Sequence, residues 1–265
     1  MKFKSSLLVG AVALAATSLV AVSANADKLR WKMQSTWGSQ VAINGEAAVY
    51  FSNKVKSISG GDVQLRFHEP NALVPSLEVW DAVKNGSVDA GYTTPGYHAG
   101  KIPAVSYFTA VPFGPGASEY HGWMEYGGGQ QLKDRIYGEY GLKALNCLTH
   151  APETSGWFRK KINNVEELKG MKMRFFGLGA MVMSKLGVST QLLAGGDIYP
   201  ALEKGVTFVT WPDSEISKFK KAWDAVVEEK SASDPLFKEI TASYNKFRED
   251  YSIWSSRAYL KAKKY

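Results

Sequence analysis

Arg174 is the side chain in this sequence with the clearest chemistry for holding an anion. It lies in the run Leu168-Lys169-Gly170-Met171-Lys172-Met173-Arg174-Phe175-Phe176, whose apolar end predicts a strand over 171–176. A guanidinium offers a planar fork of donors that pairs with a carboxylate through two parallel hydrogen bonds. On a strand, such a residue either points into a cleft or needs an internal acid, because an unpaired buried charge is costly. Tyr97, in Thr93-Thr94-Pro95-Gly96-Tyr97-His98, can give a cleft both an apolar wall and a hydroxyl, or can pack on the surface as a loop residue. Trp37 and Phe175 are further wall candidates, though core packing suits each of them better.

Other chemistries find little support. Cys147 is the single cysteine, which excludes an intrachain disulfide and a cysteine metal cluster. It alternates with Leu145 on an expected strand over 142–148, which predicts a core position. His68, His98, His121 and His150 fall outside any H-E-x-x-H spacing, and His98 and His121 read as hydrogen-bonded loop residues. Gly127-Gly128-Gly129 lacks the G-x-x-x-x-G-K-[ST] pattern of a phosphate loop. No G-x-S-x-G elbow is present, so an exported hydrolase has no visible machinery. The net charge of +7 is spread along the chain without a run of five basic residues, too diffuse for a nucleic-acid surface.

The elements that must position these residues begin after a targeting segment. Lys2 and Lys4, an apolar stretch of about 16 residues and the small-x-small triplet Ala24-Asn25-Ala26 form an export signal, the apolar stretch being short for a membrane span. Cleavage is expected after Ala26. Leu29, Trp31 and Met33 alternate with polar residues as a strand does, and so do Val63, Leu65 and Phe67. Between them 45–58 carries one apolar face and stops at Gly60-Gly61, the pattern of an amphipathic helix. Leu77, Trp80 and Val83 predict a short helix ended by Gly86, and 88–93 a third strand. This β-α-β-α-β order implies a mainly parallel sheet with helices on both faces.

Further along, 94–129 reads as loops around a cleft with a short helix near Trp123. Helices are predicted over 130–137 and 178–186, and strands over 142–148 and 188–193. Asp197 caps a further helix that ends at Gly205. Asp213 caps a helix bearing Ile216, Phe219, Trp223, Val226 and Val227 on one face. Asp234-Pro235 starts another, with Leu236, Ile240, Tyr244, Phe247, Tyr251 and Trp254 in one stripe. That stripe can clamp two lobes, meet a second copy, or pack on its own sheet.

Several motifs resemble one family. Gly156-Trp157-Phe158-Arg159-Lys160, Leu168 through Arg174, the run AGGDIYPALEKG from Ala194 to Gly205, Ser59-Gly60-Gly61-Asp62, Gly86-Ser87-Val88-Asp89-Ala90-Gly91 and the tail from Trp211 to Tyr259 are similar to the extracytoplasmic solute receptors of tripartite ATP-independent periplasmic (TRAP) transporters, in the branch that binds 2-oxo acids and lactate. The resemblance implies an α/β two-lobe periplasmic binding protein with parallel-rich sheets and long C-terminal helices. It implies a signal over 1–26, a first lobe over 27–150, a partial second lobe over 151–206 and C-terminal helices over 207–265. It assigns Arg174 to the ligand's carboxylate and Tyr97 to a loop over the ligand. Glu153 falls where the branch has a glutamine that helps bind a metal ion, and a carboxylate suits a hard cation such as Na⁺ or Ca²⁺. The implied partners are a small organic carboxylate, the membrane subunits of a TRAP transporter and, through the C-terminal helices, a second copy. A receptor serving a membrane sensor has the same sequence features.

One departure accompanies the match. In the family the helix ending at Gly205 is followed by a strand reading roughly V-D-A-x-E and by the rest of the second lobe. Here Gly205-Val206 runs directly into Thr207-Phe208-Val209-Thr210-Trp211-Pro212. The chain therefore reads as a member with an internal deletion near Val206, which removes a family cation ligand and leaves the second lobe incomplete.

Overall fold

The alternating residues from Leu29 onward do form a strand. In the computed structural model, which describes residues 28–150, 153–158, 160–194 and 210–258, β1 is Leu29–Ser35. The amphipathic stretch folds as α1, Asn44–Ile58, and β2 follows at Val63–His68. After a single 3-10 turn come α2, Val79–Lys84, and β3, Ala90–Tyr92. The three strands are parallel in the order β2-β1-β3, with Trp31 opposite Leu65 and Met33 opposite both Phe67 and Ala90. Met33, Ala48 and Tyr92 form a small core beneath α1. The fully buried Gln34 has its amide satisfied: Leu73 N and Val74 N donate to its Oε1, and its Nε2 donates to Val74 O. That side chain ties the loop after β2 to the central strand.

The cleft-like region contains more helix than its composition suggests. Pro95–His98 and Pro103–Phe108 are 3-10 helices, and α3 spans Ala117–Tyr126. The next elements are α4 at Gly129–Gly138, β4 at Lys172–Arg174, α5 at Gly177–Lys185 and β5 at Ser189–Gln191. β4 and β5 pair in parallel, Arg174 opposite Gln191. The fold is thus α/β with two separate parallel sheets, as expected.

The long tail helices are α6, Asp213–Ser233, and α7, Pro235–Ala258. Asp234 caps α7, its Oδ1 accepting from Phe237 N at 3.0 Å, with Pro235 in the first position. Asp213 is the first residue of α6 rather than its cap, which is Pro212; there its charge still suits the helix N-terminus. The stripe of α7 packs on helices and not on a sheet. Phe237, Ile240 and Tyr244 are buried with Tyr107, Trp123 and Ile136 in one large core that also takes in Leu178, Val188, Phe219 and Val226. Polar links support it: Tyr107 Oη with Thr241 Oγ1 at 2.6 Å, and Trp123 Nε1 donating to Ser243 Oγ at 3.2 Å.

Two expectations fail at 142–148. The segment forms no strand, because no described strand lies alongside to complete a ladder. Leu142 and Ala144 lean on the main core, whereas Leu145 and Cys147 are exposed. The alternation is real, but it turns Cys147 outward. Side-chain tethers hold the segment instead: Lys133 Nζ donates to Asn146 Oδ1, Thr149 Oγ1 meets His121 Nε2, and His150 Nε2 meets Asn44 Oδ1. The expected helix from Asp197 and the Gly205–Val206 junction lie outside the described residues, as does the export signal.

Candidate functional site

Ligands of open α/β sheets sit beyond the carboxyl ends of the strands, where the strand order reverses. Here the reversal is between β1 and β3. The chain leaving β1 carries Trp37, and the chain leaving β3 carries Tyr97. The carboxyl end of β4 carries Arg174 and Phe176, and that of β5 leads to Leu193. Aromatic contacts link these ends in sequence. Trp37 meets Tyr92 edge-on at 6.0 Å and Tyr97 at 6.2 Å between centroids. Tyr97 meets Phe176 edge-on at 5.8 Å. Phe176 lies under the guanidinium of Arg174, whose Cζ stands 4.9 Å from the ring centroid.

Arg174 is half-buried, and no described acid pairs with it. Its Nε and Nη2 both donate to the carbonyl oxygen of Leu193, at 3.1 and 2.9 Å. One edge of the guanidinium is therefore anchored on the backbone, while its positive charge has no described counter-ion. A guanidinium with a free edge retains the donors that charge-assisted pairing with a carboxylate uses.

Tyr97 is buried in the 3-10 turn after β3. With Phe175, Phe176, Met181 and Val226 it lines a hollow of about 540 Å³ between that turn, α5, β5 and α6. Arg174 is not among the lining residues, but Phe176 belongs to both the hollow and the guanidinium. The hollow's charged lining residues are Lys185, Glu229 and Lys230, of which Lys185 and Glu229 already pair with each other. Lys230 Nζ also lies 3.7 Å from Glu229 Oε1, so both of the hollow's lysines face that one carboxylate. Tyr92, one contact removed, keeps its proton: burial, with a smaller push from Cys147, raises its pKa to about 12.

Glu153 is exposed and has no hydrogen bond to a described residue. Just after it, Trp211 Nε1 donates to Ser155 Oγ at 2.7 Å, and Gly156 lies against the Met173 methyl. This brings the segment alongside β4. Among the described residues no group of three His, Cys, Asp or Glu side chains could hold a metal ion. One carboxylate supplies only part of the 6–8 oxygens that Ca²⁺ takes, the rest of such a shell being backbone carbonyls, amide oxygens or water.

Phe176 is the site residue that sequence reasoning overlooked. The strand alternation carried a usable signal: Lys172, Arg174 and Phe176 share one parity, Met171, Met173 and Phe175 the other. Phe175 lines the hollow and packs against the main core. Of the histidines, His121 is on α3 and bonded to Thr149, whereas His98 is buried against Trp80 at 4.8 Å with no partner for Nε2.

The sequence pattern of the bacterial extracellular solute-binding proteins, family 7, matches residues 34–231. The chain belongs to that family. This is a family of extracytoplasmic solute-binding proteins and not of enzymes. A relative in a Nostoc strain, described as a monocarboxylate 2-oxoacid-binding periplasmic protein, is 36% identical over 215 residues, 77% of this chain and 58% of the relative. The chain thus spans less than two thirds of that relative's length. Solved TRAP solute-binding proteins share the fold. One from Bordetella bronchiseptica, with calcium and picolinate in one site, superposes with a TM-score of 0.81 at 24% identity, covering 86% of this chain and 94% of that one. One from Pseudoalteromonas atlantica, with sodium and pyruvate, gives 0.76 at 25%, covering 86% and 96%. One from Colwellia psychrerythraea, with calcium and pyruvate, gives 0.74 at 25%, covering 88% and 98%. No described helix is long and apolar enough to cross a membrane.

Proposed function

We propose that this chain is a periplasmic solute-binding protein that captures a small 2-oxo or 2-hydroxy acid and delivers it to the membrane subunits of a TRAP transporter. The observation that carries the reading is Arg174: a half-buried cation without a described acid, anchored on Leu193 O at the convergent strand ends. The 2-oxoacid-binding relative and the pyruvate-bound structures support the ligand class. Binding is a charge-assisted contact between the ligand carboxylate and the Nη edge of Arg174, with Tyr97 and Phe176 as the apolar wall. No bond is made or broken. A domain arrangement with a first lobe over 27–150 and a partial second lobe over 151–206 fits a ligand held between two walls that approach by a hinge.

Glu153 is our candidate for a cation ligand beside the carboxylate, as Na⁺ or Ca²⁺ accompanies pyruvate in two of the solved proteins. The contact to the ligand carboxylate itself rests on Arg174. Export follows cleavage after Ala26, and mass spectrometry of the secreted product should find Asp27 at the N-terminus. An intact Met1 on a membrane-bound product would overturn that step.

The missing V-D-A-x-E strand and the 58% span of the relative favour a second reading, a receptor whose opposite wall is reduced. A carboxylate on Arg174 would then stay solvated, and the pair would contribute about 0–1 kcal/mol. In a closed site, loss of a desolvated pair costs roughly 2–5 kcal/mol. Thermal unfolding of residues 27–265 with pyruvate, lactate and their neutral amides distinguishes the two. A saturable rise at micromolar acid supports a closed site, a rise only at millimolar acid supports the reduced one, and no rise with either acid overturns carboxylate capture.

A further inference from the structure

We propose that Phe176 is a positioning residue for Arg174, and that Gly96 determines where the Phe176 ring stands. The inference rests on the reading of Arg174 as the carboxylate anchor and adds how that anchor is aimed. A free arginine side chain has many rotamers, and ordering it on binding would weaken the complex. Here two contacts fix the guanidinium before any ligand arrives. Leu193 O engages the edge made by Nε and Nη2. The Phe176 ring lies under the face, 4.9 Å from Cζ, within cation–π range. The carbonyl sets the edge and the ring sets the plane. What remains for a carboxylate is the end of the fork, Nη1 with the second hydrogen of Nη2.

Phe176 is in turn held from the other sheet. It meets Tyr97 edge-on at 5.8 Å. A Cβ placed on Gly96 would come within 2.6 Å of both Phe176 Cδ2 and Cε2, and 3.2 Å from Thr109 Cγ2. Gly96 has no positive φ, so its missing side chain, and not its backbone freedom, is what the ring requires. Gly96 and Tyr97 follow β3, whereas Arg174 ends β4 and Phe176 follows it. The aim of Arg174 therefore depends on the approach of one sheet's turn to the other sheet's strand end. Separating the two removes the platform beneath the ring and loosens the guanidinium, so anchor orientation and closure are one event.

The test needs no ligand. The Nε–H of Arg174, identified in ¹⁵N spectra by its loss in Arg174→Lys, should exchange slowly with water in residues 27–265. In Gly96→Ala and Phe176→Leu it should exchange roughly tenfold faster, the effect of one lost cation–π contact. Phe176→Tyr keeps an aromatic face and should restore protection. A merely structural Phe176 would lower the thermal midpoint without sorting protection by aromatic face. Unchanged protection in Gly96→Ala and Phe176→Leu, or a wild-type signal already in free exchange, overturns the proposal. If Phe176→Leu does not fold, Gly96→Ala and Phe176→Tyr decide it alone. Pyruvate added to the wild-type sample separates the two claims: no response with protection intact refutes the ligand reading and leaves the positioning role standing.

Discussion

The guanidinium of Arg174 stands over the ring of Phe176, two residues further along the same strand end. Neighbours of equal parity on a strand face the same way, so this contact follows from sequence spacing once β4 forms. Its consequence is a cation held in place by a ring and a carbonyl, with no acid among the described residues to neutralise it.

Arg174→Ala should therefore be mild for stability. The side chain is half-buried and bonded to one backbone carbonyl, so its loss should cost about 1 kcal/mol in urea unfolding. Were Arg174 half of a buried ion pair, removal would cost roughly 3–5 kcal/mol. A loss in that upper range would assign Arg174 to the scaffold.

Stability should fall as the medium is acidified through the range set by His98. Burial against Trp80 is the main cause that lowers its pKa from 6.5 to about 4; Asp81 opposes the shift and Lys101 adds to it. Asp81 and Lys101 pair with each other at 2.5 Å. Above pH 6.5 His98 is neutral folded and unfolded alike. Between about pH 6.5 and 4 only the unfolded chain takes the proton, so stability declines over that window, by up to about 3 kcal/mol, and levels off below it. Comparing urea unfolding of wild type and His98→Phe at pH 7.5, 5.5 and 4 isolates this share. Parallel pH profiles would show that His98 contributes nothing to it.

Asp234 serves two helices. Its N–H closes the last turn of α6 on Lys230 O, and its Oδ1 caps α7 at Phe237 N. Asp234→Ala should lose the second contact only and destabilise by about 1 kcal/mol, with Asp234→Asn largely restoring it. Equal losses in the two variants would point to charge rather than the hydrogen bond.

Much of this was legible in the residues. Period-two and helical patterns, with glycine stops at Gly60 and Gly86, located β1, α1, β2, α2 and β3 from local signals, although burial is uneven along them: in β1 Met33 is buried while Leu29 and Trp31 stay exposed. Asp234-Pro235 marked α7 for a local reason, capping, that needs no tertiary information. The stretch 142–148 was not legible: alternation says that a segment could be a strand, but a strand also requires a neighbour. The turn of Cys147 to the surface follows from that absence. At the site, Arg174 and Tyr97 stood out by residue type. Phe176 did not, because its role depends on Gly96, far away in sequence, leaving room for the ring. The packing of α7 on α3, α4 and α6 was equally invisible, since a stripe announces burial but not the partner.

The central claim is that Arg174 receives a carboxylate. The most direct measurement follows the Arg174 Nε–H signal of residues 27–265 while pyruvate is added, with pyruvamide, the neutral amide of the same shape, in parallel. The account predicts a saturable displacement with pyruvate, none with pyruvamide, and in Arg174→Lys no remaining heat of binding by calorimetry. A signal indifferent to pyruvate, or equally displaced by pyruvamide, would contradict it.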